Sequence, residues 1–289
     1  MSSVPPVLLV TGAVLPEPDT ESAAVIDALT RNGVGAALVS WTDQSIDWAA
    51  ADLVVIRSTW DYPEHHGRFL DWCDEVDAVT GLWNQPVIVE WNSHKGYLLD
   101  LAAAGVPVIP TGVCGEDAGV VVADAASEVG WEEVVLKPAV GLGGFGVERF
   151  RVDDDRAQHH LELLVELGDA VMQPLAPVGA NGTWSEISLV WMGGQYSHAV
   201  AKTTPVGEFR AQTHLGAEIE VHDPTAVQLH TAQSALAAVA GDLLYARVDL
   251  VDFDGMPTVM ELELIEPSLF LEVSDTVERF ADVLSALVD

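Results

Sequence analysis

Positive charge is what this chain has least of. Its 289 residues carry 12 lysines and arginines against 45 aspartates and glutamates, a formal net charge of −33. A field of that sign argues against nucleic acid and anionic membranes as partners. Lysine is scarcest, present only as Lys95, Lys137 and Lys202. Cysteine is rare too. Cys73 and Cys114 have no metal or redox spacing and read as small buried thiols, which fits a reduced cytoplasm. No apolar run approaches the roughly 20 residues a membrane-spanning helix needs, and the first residues lack the basic-then-apolar pattern of a secretory leader. Hydrophobic residues make up 49% of the chain, enough for a sizeable core, so disorder is not expected. A polyanionic ligand could bind such a chain only through local cations and a metal, because the distant acidic field is screened beyond about 8 Å at physiological salt. The places where the three lysines fall therefore become informative.

Along the chain, strands are expected near residues 7–10, 35–40 and 51–57. A helix between the first two opens at Asp19-Thr20 and stops by Gly33, and another after Pro63 carries Phe69, Trp72 and Val76 on its face. Strands alternating with helices imply a parallel, doubly wound unit whose binding edge lies at the carboxyl ends of its strands. The loop Arg57-Ser58-Thr59-Trp60-Asp61-Tyr62 falls there, an unusual density of polar and aromatic side chains for a connection. Residues 92–95 open the next helix, followed by a strand over 107–110 and a helix over 117–130. A strand bearing Lys137 then enters a glycine-rich turn, Gly141-Leu142-Gly143-Gly144-Phe145-Gly146. Such glycines let backbone N–H groups approach phosphate oxygens. A second strand follows the turn, so it is neither the dinucleotide fingerprint nor the P-loop. A helix over 154–167, strands near 170–173, 187–191 and 196–202, a helix capped at Asp223-Pro224 and a closing amphipathic helix complete the reading. The adjacent pairs His65-His66 and His159-His160 read as surface residues.

The stretch from Arg247 to Leu264 reads as two strands around Asp254-Gly255. Alternation puts Val248, Leu250, Met260, Leu262 and Leu264 on one face and Arg247, Asp249, Glu261 and Glu263 on the other. Turn length decides whether the acids meet. A two-residue turn at Asp254-Gly255 would put Asp249 and Glu261 on opposite faces, whereas a three-residue loop through Met256 sets them across from each other. Two carboxylates about 5 Å apart repel by about 3 kcal/mol at an effective dielectric near 20, so a cation is expected between them. Hard oxygen ligands without histidine or cysteine suit magnesium. The competing reading is a solvated acidic face, and these residues alone do not decide.

With a lysine at a helix start, a strand lysine before a glycine turn and a final strand pair of paired acids, the chain resembles the ATP-grasp family over essentially its whole length. The resemblance implies an α/β ATP-grasp fold: an N-terminal Rossmann-like domain over 1–90 on the substrate side, a small lid domain over 91–173, and a C-terminal α+β domain with the metal site over 174–289. It implies an ATP-dependent ligase that activates a carboxylate as an acyl phosphate and forms a C–N bond. Lys95 and Lys137 would contact ATP phosphates, with Gly143, Gly144, Phe145 and Gly146 closing over them. Gln173 would lie beside the adenine and Glu186 would help hold the nucleotide. Asp249, Glu261 and Glu263 would bind one or two Mg2+ ions; the family commonly has asparagine where Glu263 stands. Arg210, in Gly207-Glu208-Phe209-Arg210, matches the arginine used at the acyl phosphate, and Lys202 is a second catalytic cation. A narrower match, on Arg57–Tyr62 and on Tyr196-Ser197-His198 before Lys202, is to members that close a ring within one small amino-acid-like substrate. Arg57, Ser58, Thr59 and Asp61 are then candidates to hold it. Two-substrate ligases of the glutathione synthetase kind and non-catalytic ATP-binding modules are the alternatives. A homodimer, with no nucleic-acid or membrane partner, completes the expectation.

Overall fold

The computed structural model describes residues 4–16, 18–116, 119–179, 182–211 and 215–288. Its first sheet is parallel, in the order β2-β1-β3-β4, built from β1 (Val7–Thr11), β2 (Ala36–Ser40), β3 (Leu53–Ser58) and β4 (Gly81–Trp83). β1 and β3 are buried along their whole lengths because both faces are covered, which is why they read as continuous apolar runs. Leu8, Val10, Val54 and Ile56 pack on α2 (His66–Asp77) through Phe69, Trp72, Cys73 and Val76. On the other face Val7, Leu9, Leu53 and Val55 meet α1 (Thr20–Arg31) and α8 (Val277–Ser285). The last helix thus returns to cover the first sheet. Asp19 caps α1 as expected, accepting the Ser22 N–H at 2.8 Å.

The second sheet, β5-β8-β6-β7, is antiparallel: β5 (Gly112–Cys114), β6 (Glu133–Pro138), β7 (Glu148–Arg151) and β8 (Ala170–Pro174). Its apolar side rests on α5 (Val122–Val129) and α6 (Asp155–Val165). The glycine turn links β6 to β7, with Gly143, Gly144 and Gly146 all at positive φ.

The third sheet runs β11-β10-β9-β12-β13: β9 (Ser185–Met192), β10 (Gln195–Thr203), β11 (Glu218–His222), β12 (Tyr245–Phe253) and β13 (Met256–Glu263), all antiparallel. One face packs Leu189, Trp191, Val248, Leu250 and Leu262 against α3 (Pro86–Ser93), α4 (Tyr97–Ala103) and α7 (Ala226–Ala237). Along the opposite face, Met192, Val190, Val200 and Tyr245 join the core shared with the first sheet. Farther along the same strands that face turns charged, at Glu186, Lys202, Arg247 and Asp249. Strand periodicity of two therefore joins the shared core and the site on one surface.

Several local expectations change. Asn92 and Ser93 close α3, which begins at Pro86, and Lys95 lies in the turn before α4. Asn92 instead holds the edge strand: its Nδ2 donates to the Leu262 carbonyl at 2.8 Å and its Oδ1 accepts the Leu264 N–H at 2.9 Å. Residues 107–110 form a single bridge, Val108 to Val259, in place of a strand. Thr225, in a capping box with Gln228, caps α7 where Asp223 was expected. The start proposed for α5 at residue 117 lies outside the described residues. No helix among the described residues is long and apolar enough to cross a membrane.

Candidate active site

The acidic hairpin turns by a route the sequence reading did not foresee. Phe253 pairs with Met256, so Asp254-Gly255 is a two-residue turn, with φ of +53° and +78°. Both central residues at positive φ suit the right-handed twist of the strands, and the Gly255 N–H donates to Asp252 Oδ1 at 2.9 Å. That turn alone would send Asp249 and Glu261 to opposite faces. A β-bulge corrects the register: Leu250 pairs with Val259, but Asp249 pairs with Glu261, leaving Met260 as the extra residue. Val259, not Met260, therefore joins Val248, Leu250 and Leu262 in the core. Met260 turns instead toward Ile109, Trp184 and Val251.

Beyond the bulge Arg247 pairs with Glu263, and carboxylate oxygens of Asp249, Glu261 and Glu263 lie within 4.8 Å of one another. All are hard oxygen donors, with neither nitrogen nor sulfur in the set, which fits a magnesium ion. Arg247 organises two of them. Its Nε and Nη2 donate to Asp249 at 2.9 and 2.8 Å, and Nη2 also contacts Glu263. Ser188, facing Asp249 across β9, donates to Oδ1 at 2.5 Å. Lys202 pairs with Glu186 in register and contacts its carboxylate, while its Nζ stands 3.5 Å from Asp249. Lys95 Nζ lies 3.0 Å from Glu261 and donates to the Gly141 carbonyl at 2.7 Å, tying the acids to the start of the glycine turn. Lys137 is buried beside Glu261, Lys95 and Glu186. All three lysines of the chain thus converge on one acidic cluster.

Charge balance shapes the titration of the cluster. Burial drives the Lys137 ammonium down to about 8, only partly offset by Glu261. Burial also pushes Glu263 and Glu186 up to about 7. Burial opposes ionisation of Asp249 too, yet Arg247 and Lys202 outweigh it and hold that carboxyl at about 2. Glu261 is likewise held below its ordinary value, burial being overcome by Lys95 and Lys137. Glu266 rises well above the carboxylate range through burial and the neighbouring Glu263. Five acids, Glu186, Asp249, Glu261, Glu263 and Glu266, thus answer four cations, Lys95, Lys137, Lys202 and Arg247.

Other expected site residues fall into three places. Gln173 is buried in β8 and donates to Thr111 Oγ1 at 2.9 Å, while Phe145 stands 76% exposed on the glycine turn. Arg210 is bound by Glu208, with Nε–Oε1 and Nη2–Oε2 distances of 3.0 Å; this bond holds the Glu208 carboxyl at about 2. Arg210 has no hydrogen bond or ion pair to the hairpin acids. Residues 212–214, with Gln212 and His214, lie outside the described residues.

The loop expected to hold substrate is turned largely inward, with Arg57, Ser58 and Thr59 buried. Arg57 is 3% exposed, donates to Glu21 at 3.0 Å and to the Pro267 carbonyl at 3.2 Å, and packs over Tyr245 and Phe280. Ser58 donates to Thr11 Oγ1 at 2.8 Å, Thr59 is fully buried, and Asp61 accepts from the Ala13 N–H and Trp41 Nε1. Arg57 braces the joint between the first and third sheets, and Ser58 and Asp61 brace neighbouring loops of the first. Arg247, expected on the face of the acids, is their ion-pair partner, whereas sequence reading missed Ser188 and Phe270. Ser188 was discoverable only from strand register, and nothing local marks Phe270.

A family model described as the N-terminal domain of D-cycloserine synthetase DcsG matches residues 7–84. The cycloserine biosynthesis protein DcsG of Streptomyces lavendulae is 36% identical over 301 residues, covering 96% of this chain and 97% of that protein. A crystal structure of D-cycloserine synthetase DcsG superposes with a TM-score of 0.85 at 34% identity, covering 98% of this chain and 99% of that one. The D-alanine–D-alanine ligase of Bacillus anthracis complexed with ATP shares the fold at a TM-score of 0.70 and 16% identity, covering 99% of this chain and 97% of the ligase.

Proposed function

The chain belongs to the D-cycloserine synthetase family of ATP-grasp ligases, and on that footing we propose that it closes the ring of D-cycloserine from O-ureido-D-serine with ATP and magnesium. The observation that carries the reading is the convergence of Lys95, Lys137, Lys202 and Arg247 on Asp249, Glu261 and Glu263.

Lys95 and Lys137 bind the phosphates in this reading, and the N–H groups of the Gly143–Gly146 turn close over them. Gln173 and Glu186 hold the nucleoside end. Asp249, Glu261 and Glu263 would hold magnesium, which would supply neutralisation of phosphate charge. In this reading Lys202 and Arg247 stabilise the charge that shifts as the substrate carboxylate attacks the γ-phosphate, and positioned cations lower that barrier. Arg210 joins them once it leaves Glu208. The carboxylate becomes an acyl phosphate; the ureido nitrogen attached to oxygen attacks the acyl carbon, its proton leaves, and phosphate departs. The ring nitrogen still carries the carbamoyl group; one water cleaves that N–C bond, the ring nitrogen takes a proton, and the carbamic acid released falls apart to carbon dioxide and ammonia. A homodimer remains part of the proposal, to be checked by light scattering.

Phosphate release from ATP, measured across a panel of amino acids, tests the reading. Release is expected with O-ureido-D-serine and without any second amine. Dependence on a separate amine, with no cyclic product, would place the chain among two-substrate ligases instead.

A further inference from the structure

The segment after β13 has no regular structure, yet its backbone is held at almost every residue by side chains from elsewhere. Tyr245 Oη donates to the Ile265 carbonyl at 2.7 Å, Arg57 to that of Pro267 at 3.2 Å, and Arg247 Nη1 to that of Ser268 at 3.2 Å. His198 Nε2 lies 2.8 Å from the Leu269 carbonyl. The two oxygens of one carboxylate, Glu21 at the start of α1, accept the Leu269 and Leu271 N–H groups at 2.9 and 3.0 Å. Alternate N–H groups gripped by one anion are the geometry of a backbone nest, which requires a left-handed residue between them. That residue is Phe270, at φ +53°.

Glycine is the ordinary occupant of such a position, and a bulky side chain there is a costly choice that a function can explain. The ring supplies it. Phe270 lies 5.6 Å from the Arg247 guanidinium and 5.9 Å from Lys202 Nζ. An aromatic face attracts cations without cancelling their charge. An acid in its place would neutralise both groups, and an aliphatic side chain would leave them without a support on that side.

We propose that Phe270 is a positioning residue for the ligation, its ring steadying Arg247 and Lys202 toward the reacting carboxylate while Glu21 locks the backbone that presents it. The inference rests on the functional reading above. It makes the placement of two cations in the third sheet depend on an acid from the first domain.

The test compares full-length wild type with Phe270→Leu, Phe270→Met, Phe270→Tyr and Glu21→Gln. Steady-state rates with ATP, magnesium and O-ureido-D-serine are measured beside melting temperature and ATP affinity. Phe270→Leu and Phe270→Met are expected to lose about tenfold in kcat, the scale of a buried cation–π contact, with KM for ATP within about twofold. Phe270→Tyr, which keeps the ring, is expected to restore the rate, and Glu21→Gln to lower kcat in the same sense. Should Phe270→Leu fail to fold, Phe270→Met with its similar volume gives the same comparison. Wild-type kcat in either ringless variant would overturn the inference while leaving the functional reading intact. So would a Tyr variant as slow as the Leu variant, or losses that merely track melting temperature. A wild type that turns over no carboxylate substrate removes the functional reading, and the inference with it.

Discussion

Asp249 stands directly across from Glu261 although the hairpin joining them closes through a two-residue turn, because Met260 is bulged out of the ladder between them. The bulge lets one strand satisfy two demands. Residues before it keep their apolar side chains in the core, and residues after it bring both acids onto the charged face. Bulges beside active sites re-aim side chains in this way.

The first prediction follows from that register. Asp249→Asn and Glu261→Gln each replace an anionic carboxylate by a neutral amide in a set already drawn within 4.8 Å. Losing even an outer partner of a metal typically costs 10–100-fold in affinity or activity, so these direct ligands should cost at least about 100-fold in magnesium-dependent turnover. Calorimetric magnesium titration of the nucleotide complex checks it, and excess EDTA should abolish wild-type activity outright.

Protons compete with the metal at the same place. Glu263 titrates at about 7 because of burial, so below that pH magnesium must displace a proton. Apparent magnesium affinity should therefore weaken by about tenfold from pH 8 to pH 6, and Glu263→Gln should flatten the dependence. The stability effect has a defined sign. Between pH 4.5 and 7 the folded metal-free protein retains a proton that the unfolded chain has lost, so stability from this group declines as pH rises through that window. Metal-free melting curves measure it.

Lys137 works in the opposite direction. Its ammonium, driven down to about 8 by burial, is charged below that pH and increasingly neutral above it. ATP affinity without substrate should fall as pH rises past 8. Lys137→Met should bind ATP weakly at every pH and lose this limb of the profile, as fluorescence titration can show.

The burial of Arg57 leads to a stability prediction. Arg57→Ala leaves the Glu21 carboxylate without its cation inside the joint, and breaking a buried pair by removing one partner costs about 3 kcal/mol or more. Denaturant unfolding should register that loss. Arg57→Lys keeps the charge but not the planar group packed over Tyr245 and Phe280, so it should lie between.

Much of the architecture was legible because parallel strands buried on two faces, amphipathic helices and caps leave local patterns. The run Val7–Thr11 and the cap at Asp19 are of that kind. The site was legible through scarcity: with three lysines in the chain, their positions beside a glycine turn and a strand pair carried real information. What could not be read was long-range. The bulge at Met260 is set by two packing surfaces, one around Val248 and one around Trp184, which only the assembled sheets supply. Arg57 sits in a loop dense with polar groups, and nothing local tells whether such a loop faces a ligand or an internal joint. Phe270 has its left-handed backbone because Glu21, some 250 residues earlier, holds the amides on either side.

The central claim is that this cluster of acids and cations drives ring closure within one substrate. Its most direct test is mass analysis of O-ureido-D-serine incubated with ATP, magnesium and the protein as the sole catalyst. The account predicts D-cycloserine, with one ADP and one phosphate formed per ring, and neither ring nor phosphate when magnesium is withheld. ATP cleavage that yields only an open-chain product, or a ring formed without ATP, would contradict it.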